Sequence, residues 1–326
     1  MPATAARCFR PFGGGKHGKV NAKRSVAAAT VGVAAVLALG ACTGPSLGNQ
    51  AARAEPIVVS SPTPAVMLGI EHVSPSPETY GVGIVVRVTF DQDVPKGLRP
   101  AVTSMIDVTS SEPIGPAAWA WSDPRTAIFR PKEFWPGHAT VTVSAAPTYE
   151  VLGRADDRDI RWAGGASSTF STGPARVITV DAQTDQATVV ADGVTVRTMP
   201  VSLGMDGWET RSGTKVLMEK YEVKRMTSQS IGAEDEYELD VPYAIRLTNS
   251  GEFIHAAPWA TDRLGRWNGS HGCTNVSMAD AKWLYYNHLY GDPVITTGTS
   301  RSMDPSNGAG GVWNVPWKTW KAGRAV

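Results

Sequence analysis

From about residue 65 onward the chain is dominated by short runs of alternating apolar and polar residues, separated by Pro, Gly and Asp. In its first half these runs are "GIVVRVTF" at Gly83–Phe90, "AAWAWS" at Ala117–Ser122, "TAIFRP" at Thr126–Pro131 and "ATVTVSA" at Ala139–Ala145. A period of two sends every second side chain to one face, so short runs with frequent turns predict a small β-sandwich. Trp119, Trp121, Trp135 and Trp162 lie within or near these runs, and core packing is their expected role. After "STGPA" at Ser171–Ala175 a second series begins with "RVITVDA", "QATVVAD", "VTVRTMPVSLG" and "TKVLMEKYEVKRM". Two β-rich domains are therefore expected, over residues 65–173 and 174–300.

Helical periodicity is confined to "SMADAKWLYYNHLYG". Ser277 can cap it, Asp280 sits at the third helical position as in a capping box, and Gly291 and Pro293 close the far end. The fold class is thus mainly β with one main helix, whose N-terminus falls just after Cys273. The segment "MTSQSIGAEDEYELDVPY", Met226–Tyr243, has weak periodicity and reads as a mobile flap.

The first 64 residues follow another pattern. Arg7, Arg10, Lys16, Lys19, Lys23 and Arg24 precede the apolar run "SVAAATVGVAAVLAL" at Ser25–Leu39, the order of a signal peptide. The run ends in "LGAC", Leu39–Cys42, which resembles a bacterial lipobox. Cleavage before Cys42 would leave a lipidated N-terminus on the outer face of the cell membrane. The alternative is an ordinary secretory signal in which Cys42 has no role. Residues 42–64 are small, polar and rich in Pro, as expected of a flexible tether. Residues 1–41 carry six Lys/Arg and no Asp/Glu, so removing them takes the formal net charge from +1 to −5. No basic patch then remains to attract nucleic acid.

Processing also changes the cysteine count. The chain has three cysteines; Cys8 leaves with the leader and an acylated Cys42 cannot pair, so Cys273 becomes a lone thiol in an oxidising compartment. Such a thiol is useful as a nucleophile or as a metal ligand. It lies in "SHGCTN", Ser270–Asn275, and is preceded by "GEFIH", Gly251–His255, with fourteen loop-like residues between the two segments. A cysteine attacks as thiolate, so it needs a base within reach, and His255 and His271 are available. His72 and His138 stand alone and are expected on the surface.

The arrangement H-x14-S-H-G-C-T-N resembles the signature of the L,D-transpeptidases, the YkuD family, which cross-link bacterial peptidoglycan. "DVPYAIRLTNSGEFIHAAPWA", "SHGCTNVSMADAKWLY" and the tail "GGVWNVPWKTWKAG" are similar to lipid-anchored actinobacterial members that carry immunoglobulin-like domains before the catalytic one. The resemblance covers most of residues 60–326 and is strongest from Tyr237 to Asp292. It implies an immunoglobulin-like domain at 65–173, a catalytic domain at 174–300 and a Trp-rich segment at 301–326 that docks at the domain junction.

It further implies Cys273 as nucleophile and His255 as acid/base, with the carbonyl of Ala256 orienting the imidazole. His271 and Asn275 would shape the site, Tyr237 would lie on a lid, and Ser250, Gly251 and Asn275 would line the donor-peptide groove. The implied partners are two peptidoglycan tetrapeptide stems, donor and acceptor, and carbapenems as covalent inhibitors. No cofactor and no metal are implied, and a monomer is expected.

Other chemistries fit less well. Zinc would have His255, His271 and Cys273, but the last two are only two residues apart and no fourth ligand or paired cysteine motif is nearby. Sortase-like enzymes place His and Cys farther apart and add a later Arg, and papain-type and NlpC-type peptidases run Cys before His. A non-catalytic wall-binding module would have no reason to keep a reactive Cys273.

Overall fold

The computed structural model describes residues 63–230, 232 and 237–325. The expected leader, Cys42 and nearly all of the expected tether lie outside the described residues.

Two sheets share the first core. In spatial order, the six-stranded sheet runs Ala117–Trp121, Thr126–Pro131, Val86–Phe90, Ala65–Ser74, Arg158–Gly164 and Val151–Ala155. The facing sheet runs Thr79–Tyr80, Ala166–Thr172, Thr140–Ala145 and Asp107–Ser110. Alternation makes the core directly: Val86, Val88 and Phe90 are buried from one sheet and Val141, Val143 and Phe170 from the other. Trp121, Trp135 and Trp162 fill the space between them, and Trp119 packs at its margin.

The strand Ala65–Ser74 was invisible to a period-two reading. Its register shifts between Ile70 and His72 and it pairs on both sides, antiparallel to Val86–Phe90 and parallel to Arg158–Gly164. A bulge of this kind breaks the alternation that marks a strand. A six-residue helix, Arg99–Ser104, was also too short to register as a period.

The second domain is likewise built on two sheets. One runs Val194–Pro200, Gln186–Ala191, Arg176–Asp181, Pro293–Thr297 and Gly213–Val216; the other runs Lys220–Thr227, Glu238–Arg246, Phe253–Ala256 and Thr274–Val276. Ile178, Val189, Met199 and Leu217 meet Ile245, Ile254 and Val276 between them. The continuous run "TKVLMEKYEVKRM" is therefore divided between two sheets, with Leu217–Glu219 crossing from one to the other.

The two ends of the expected flap, residues 226–227 and 238–243, belong to a hairpin, while residues 231 and 233–236 of it lie outside the described residues. Lys220–Thr227 and Glu238–Arg246 pair from Lys220↔Ile245 to Thr227↔Glu238. Arg225 ties the far end, 2.6 Å from Glu238 and 3.2 Å from Asp240. These cross-strand charges replace the apolar alternation that the sequence lacks.

Met278–Asn287 is the main helix, and its start is capped as expected: the Asp280 amide donates to Ser277 Oγ at 3.1 Å. It ends at Asn287, short of Gly291. His288 turns extended, and the Leu289 amide donates to the Asp292 carboxylate at 2.9 Å instead of continuing the helix.

The tail folds back over the junction. Val312, Val315, Trp320 and Ala325 cover Val85, Ala120 and Ile128 on the outer side of the six-stranded sheet. Asn314 reaches the second domain, exchanging two 2.8 Å hydrogen bonds with the backbone of Thr214. The domains also touch directly, with Gly81 N–H donating to the Tyr290 carbonyl at 2.8 Å and Gly83 N–H to that of Gly291 at 2.9 Å. A Cβ at Gly81 would stand 2.0 Å from the Asp292 amide nitrogen, so only glycine permits this approach.

Candidate active site

Strand pairing brings the histidine and the cysteine together. Phe253–Ala256 runs parallel to Thr274–Val276 with His255 opposite Asn275, so the fourteen-residue loop leaves one strand and returns beside it. Cys273 immediately precedes the second strand.

A tight turn presents the thiol. Ser270 Oγ donates to the Cys273 carbonyl at 2.6 Å and accepts from the Gly272 amide at 3.1 Å. Gly272 has φ +105, a conformation that a side chain would strain. The sulfur rests beside the segment that leads into the other strand: its S–H points to the Gly251 carbonyl at 3.9 Å, and the nearby Phe253 backbone favours the thiolate form. Burial pushes the Cys273 thiol up to about 12, the Phe253 amide opposes that, and Glu252 nearby adds to it.

His255 is buried. Its Nδ1 lies 2.8 Å from the Ala256 carbonyl, which can only accept, so Nδ1 carries the proton and Nε2 the lone pair. Burial lowers its pKa to about 4, the Ala256 carbonyl working in the opposite direction. Near neutral pH the two groups that line the cavity are therefore a thiol and a neutral imidazole. The resting site holds no standing charge on either group.

The remaining expected residues surround the same cavity, of about 550 Å³, which His255, Cys273 and Asn275 line together with Tyr237, Ser250 and Gly251. Tyr237 stacks on His271 with ring centres 5.2 Å apart and planes at 28°. Ser250 and Gly251 lie on the turn before Phe253, and Asn275 is buried at the floor. His271 stands between Tyr237 and Trp208, whose ring meets it edge-on at 5.2 Å.

Several contributors went unread in the sequence. Ser270 is part of the quoted motif, yet its role as the hydroxyl that closes the turn emerges only in three dimensions. Trp208 belongs to a distant segment, "GMDGWET", with no periodic signal. Asn307, in the tail, grips Ser250: the Ser250 amide donates to Asn307 Oδ1 at 2.9 Å and Asn307 Nδ2 donates to Ser250 Oγ at 2.9 Å. The exposed Trp259 and Trp267 lie beside the site, Trp259 tilted against His255 and Trp267 beneath the Arg263 guanidinium. Glu252 had a legible signal, being a carboxylate two positions before the buried Ile254 and so turned toward the core.

The cavity wall bears Lys224, Arg225, Arg246 and Arg263, with no acidic side chain among its described lining residues. Glu238 and Asp240 pair Arg225 and Glu219 pairs Arg246 from outside the lining, so the wall is only moderately basic and tolerates an anionic group.

Residues 175–296 match the L,D-transpeptidase catalytic domain (YkuD) family, and residues 48–151 match the bacterial Ig domain family. The sequence is similar to L,D-transpeptidase 2 of Mycobacterium tuberculosis (strain CDC 1551 / Oshkosh), 33% identical over 285 residues, which is 86% of this chain and 67% of the relative. Among solved structures it is similar to the LD transpeptidase LdtMt1 in complex with imipenem, with TM-score 0.59 and 30% identity over 70% of this chain and 99% of that one. It is also similar to L,D-transpeptidase 3 from M. tuberculosis in complex with a faropenem-derived adduct, with TM-score 0.57 and 31% identity over 71% of this chain and 98% of that one.

Proposed function

The chain belongs to the YkuD family of L,D-transpeptidases, and we propose that it forms 3→3 peptidoglycan cross-links through an acyl-enzyme on Cys273. The observation that carries this reading is the sulfur of Cys273, seated immediately before a strand paired with that of His255, whose proton-bearing Nδ1 is anchored to Ala256.

Each step balances within these residues. As Cys273 Sγ attacks the carbonyl between the third residue of a tetrapeptide stem and its terminal D-Ala, its proton passes to His255 Nε2. The tetrahedral intermediate collapses, the carbon–nitrogen bond breaks, and His255 returns the proton to the departing D-Ala amine. A thioester remains. The side-chain amine of a second stem then attacks it, gives its proton to His255, and Cys273 leaves and regains its hydrogen.

The Gly272 amide is already engaged by Ser270 Oγ, so in this reading the Cys273 amide is the leading oxyanion donor. Such a donor is worth roughly 3–4 kcal/mol in related chemistry. Tyr237 and the moderately basic wall hold the stem, whose free carboxylates the cavity tolerates. Imipenem and faropenem, bound by the solved relatives, are expected to acylate the same sulfur. In the same reading residues 1–41 are a leader and Cys42 the lipidated N-terminus, which supports an enzyme anchored on the outer face of the cell membrane and serving cell-wall biogenesis.

Incubation with a disaccharide-tetrapeptide, followed by intact-protein mass spectrometry, tests the reading. An adduct on Cys273 lacking one D-Ala, together with a dimeric muropeptide, is expected. A bound stem without adduct or dimer would overturn it in favour of a wall-binding module.

A further inference from the structure

Acyl transfer by Cys273 and His255 leaves Glu252 unused, although both of its neighbours touch the nucleophile. The Gly251 carbonyl receives the S–H and the Phe253 amide meets the sulfur. The Glu252 side chain is buried at 3% exposure and runs toward the five-stranded sheet. There Oε1 accepts from Arg211 Nη1 at 2.7 Å and from the Arg211 amide at 3.2 Å. Oε2 lies 3.4 Å from the ammonium of Lys215, a fully buried residue that also donates to Thr296 Oγ1 at 3.1 Å. The carboxylate passes close beneath the nucleophile's turn: a Cβ built on Gly272 would be 3.6 Å from Glu252 Cγ and 3.8 Å from Oε1.

Buried charges of this kind are a poor route to stability. Desolvation costs several kcal/mol per ion, and apolar replacements of such clusters are often neutral or stabilising. A carboxylate below a thiol also opposes thiolate formation unless a cation offsets it. What the cluster does supply is a fixed position for residues 251–253, because Arg211 grips the carboxylate by both backbone and guanidinium.

We propose that Glu252, clamped by Arg211 and Lys215, is a positioning residue for Cys273: it fixes the Gly251 carbonyl and the Phe253 amide against the sulfur, and the Arg211 charge offsets its own. This rests on Cys273 being the nucleophile of the proposed function. Other groups facing the sulfur's surroundings are His255 on the paired strand, His271 on the turn and Tyr237 above it. Arg263 comes from the intervening loop, and Lys224, Arg225 and Arg246 from the hairpin. None of these is altered by the test.

The test measures the rate of iodoacetamide alkylation of Cys273 in the full chain between pH 7 and 9, where rate follows thiolate fraction. Glu252→Gln removes a negative charge and is expected to speed alkylation by about threefold or more, as a charge several Å away shifts a thiol by about half a pH unit. Arg211→Gln removes the offsetting cation and should slow it by a similar factor. Both variants should lose kcat/KM in imipenem acylation, because the bracketing groups are released. If Arg211→Gln fails to fold, Arg211→Lys replaces it: alkylation near the wild-type rate with slower acylation supports the proposal, and unchanged acylation overturns it. Alkylation shifts of the same sign, or none, overturn it too. Alkylation needs only the thiol, so its outcome is separate from wild-type failure to form cross-links, which would instead sink the proposed function.

Discussion

His255 Nδ1 donates to the carbonyl oxygen of Ala256 at 2.8 Å, which commits Nε2 to be the basic nitrogen. Because burial holds this imidazole near a pKa of about 4, it stays neutral through most of the acid range. Protonation below that value removes the base, so imipenem acylation followed by mass should keep its rate from pH 7 to 5 and fall through a limb centred near 4. A limb near 6.5 would mean that His255 is solvated in the working enzyme. Ala256→Ser keeps the carbonyl and should be mild, whereas His255→Gln should cost roughly 10²–10⁴ in rate.

The thiol of Cys273, pushed up to about 12, implies that no resting ion pair exists with His255. Iodoacetamide, which carries no groups for the cavity, should therefore react slowly at pH 7 and faster with each pH unit through 9, with no plateau. A plateau reached by pH 7 would reveal a thiolate–imidazolium pair instead. Cys273→Ala should abolish acyl-enzyme formation altogether while leaving the melting curve unchanged.

Tyr237 stacks on His271 along the cavity, and in the proposed reading its ring covers the bound stem rather than taking a proton. Tyr237→Phe should be nearly silent in steady-state cross-linking. Tyr237→Ala should lower kcat/KM several-fold, seen mostly as a rise in KM. Equal and severe losses in both would assign chemistry to the hydroxyl.

The surroundings of Cys273 were legible in the sequence because they are local: "GEFIH" and "SHGCTN" are two short segments, and the pairing of His255 with Asn275 needs one parallel register to join them. The strands Val86–Phe90 and Thr140–Ala145 were equally legible, since each buries one face of an unbroken alternation. Ala65–Ser74 was not, because its bulge shifts the alternation midway. Asn307 and Trp208 were out of reach for a different reason: each acts at a separation of more than fifty residues, through contacts that no local period encodes.

Asn307 makes that distance testable. It satisfies both the amide and the hydroxyl of Ser250 on the groove wall. Asn307→Ala frees the Ser250 turn without touching Cys273, so peptide-stem KM should rise about three- to tenfold, consistent with the loss of one or two modest hydrogen bonds. Imipenem acylation should change little. An unaltered KM would show that Ser250 is not part of the stem's groove.

The tail holds the domain junction through one buried cation. Arg130, 2% exposed, lies over the rings of Trp320 at 4.4 Å, Trp313 at 4.7 Å and Trp317 at 5.5 Å, and donates to the Val315 carbonyl at 3.0 Å. Burial lowers its pKa to about 10, which still leaves it charged at neutral pH, so the aromatic faces and carbonyls stand where a carboxylate would otherwise be needed. Trp320 is fully buried and donates from Nε1 to the Ala118 carbonyl at 2.9 Å. Trp320→Ala should therefore cost about 3–5 kcal/mol, read from urea unfolding. Deleting residues 312–326 removes Asn314 and its bonds to Thr214 as well, so small-angle scattering should report a looser angle between the domains while imipenem still acylates Cys273. Arg130→Met should destabilise the full chain yet cost less in the truncated one, where the cage that offsets its charge is gone. If the truncated protein melts and scatters like the full chain, or if Arg130→Met costs the same in both, the cage does not lock the junction.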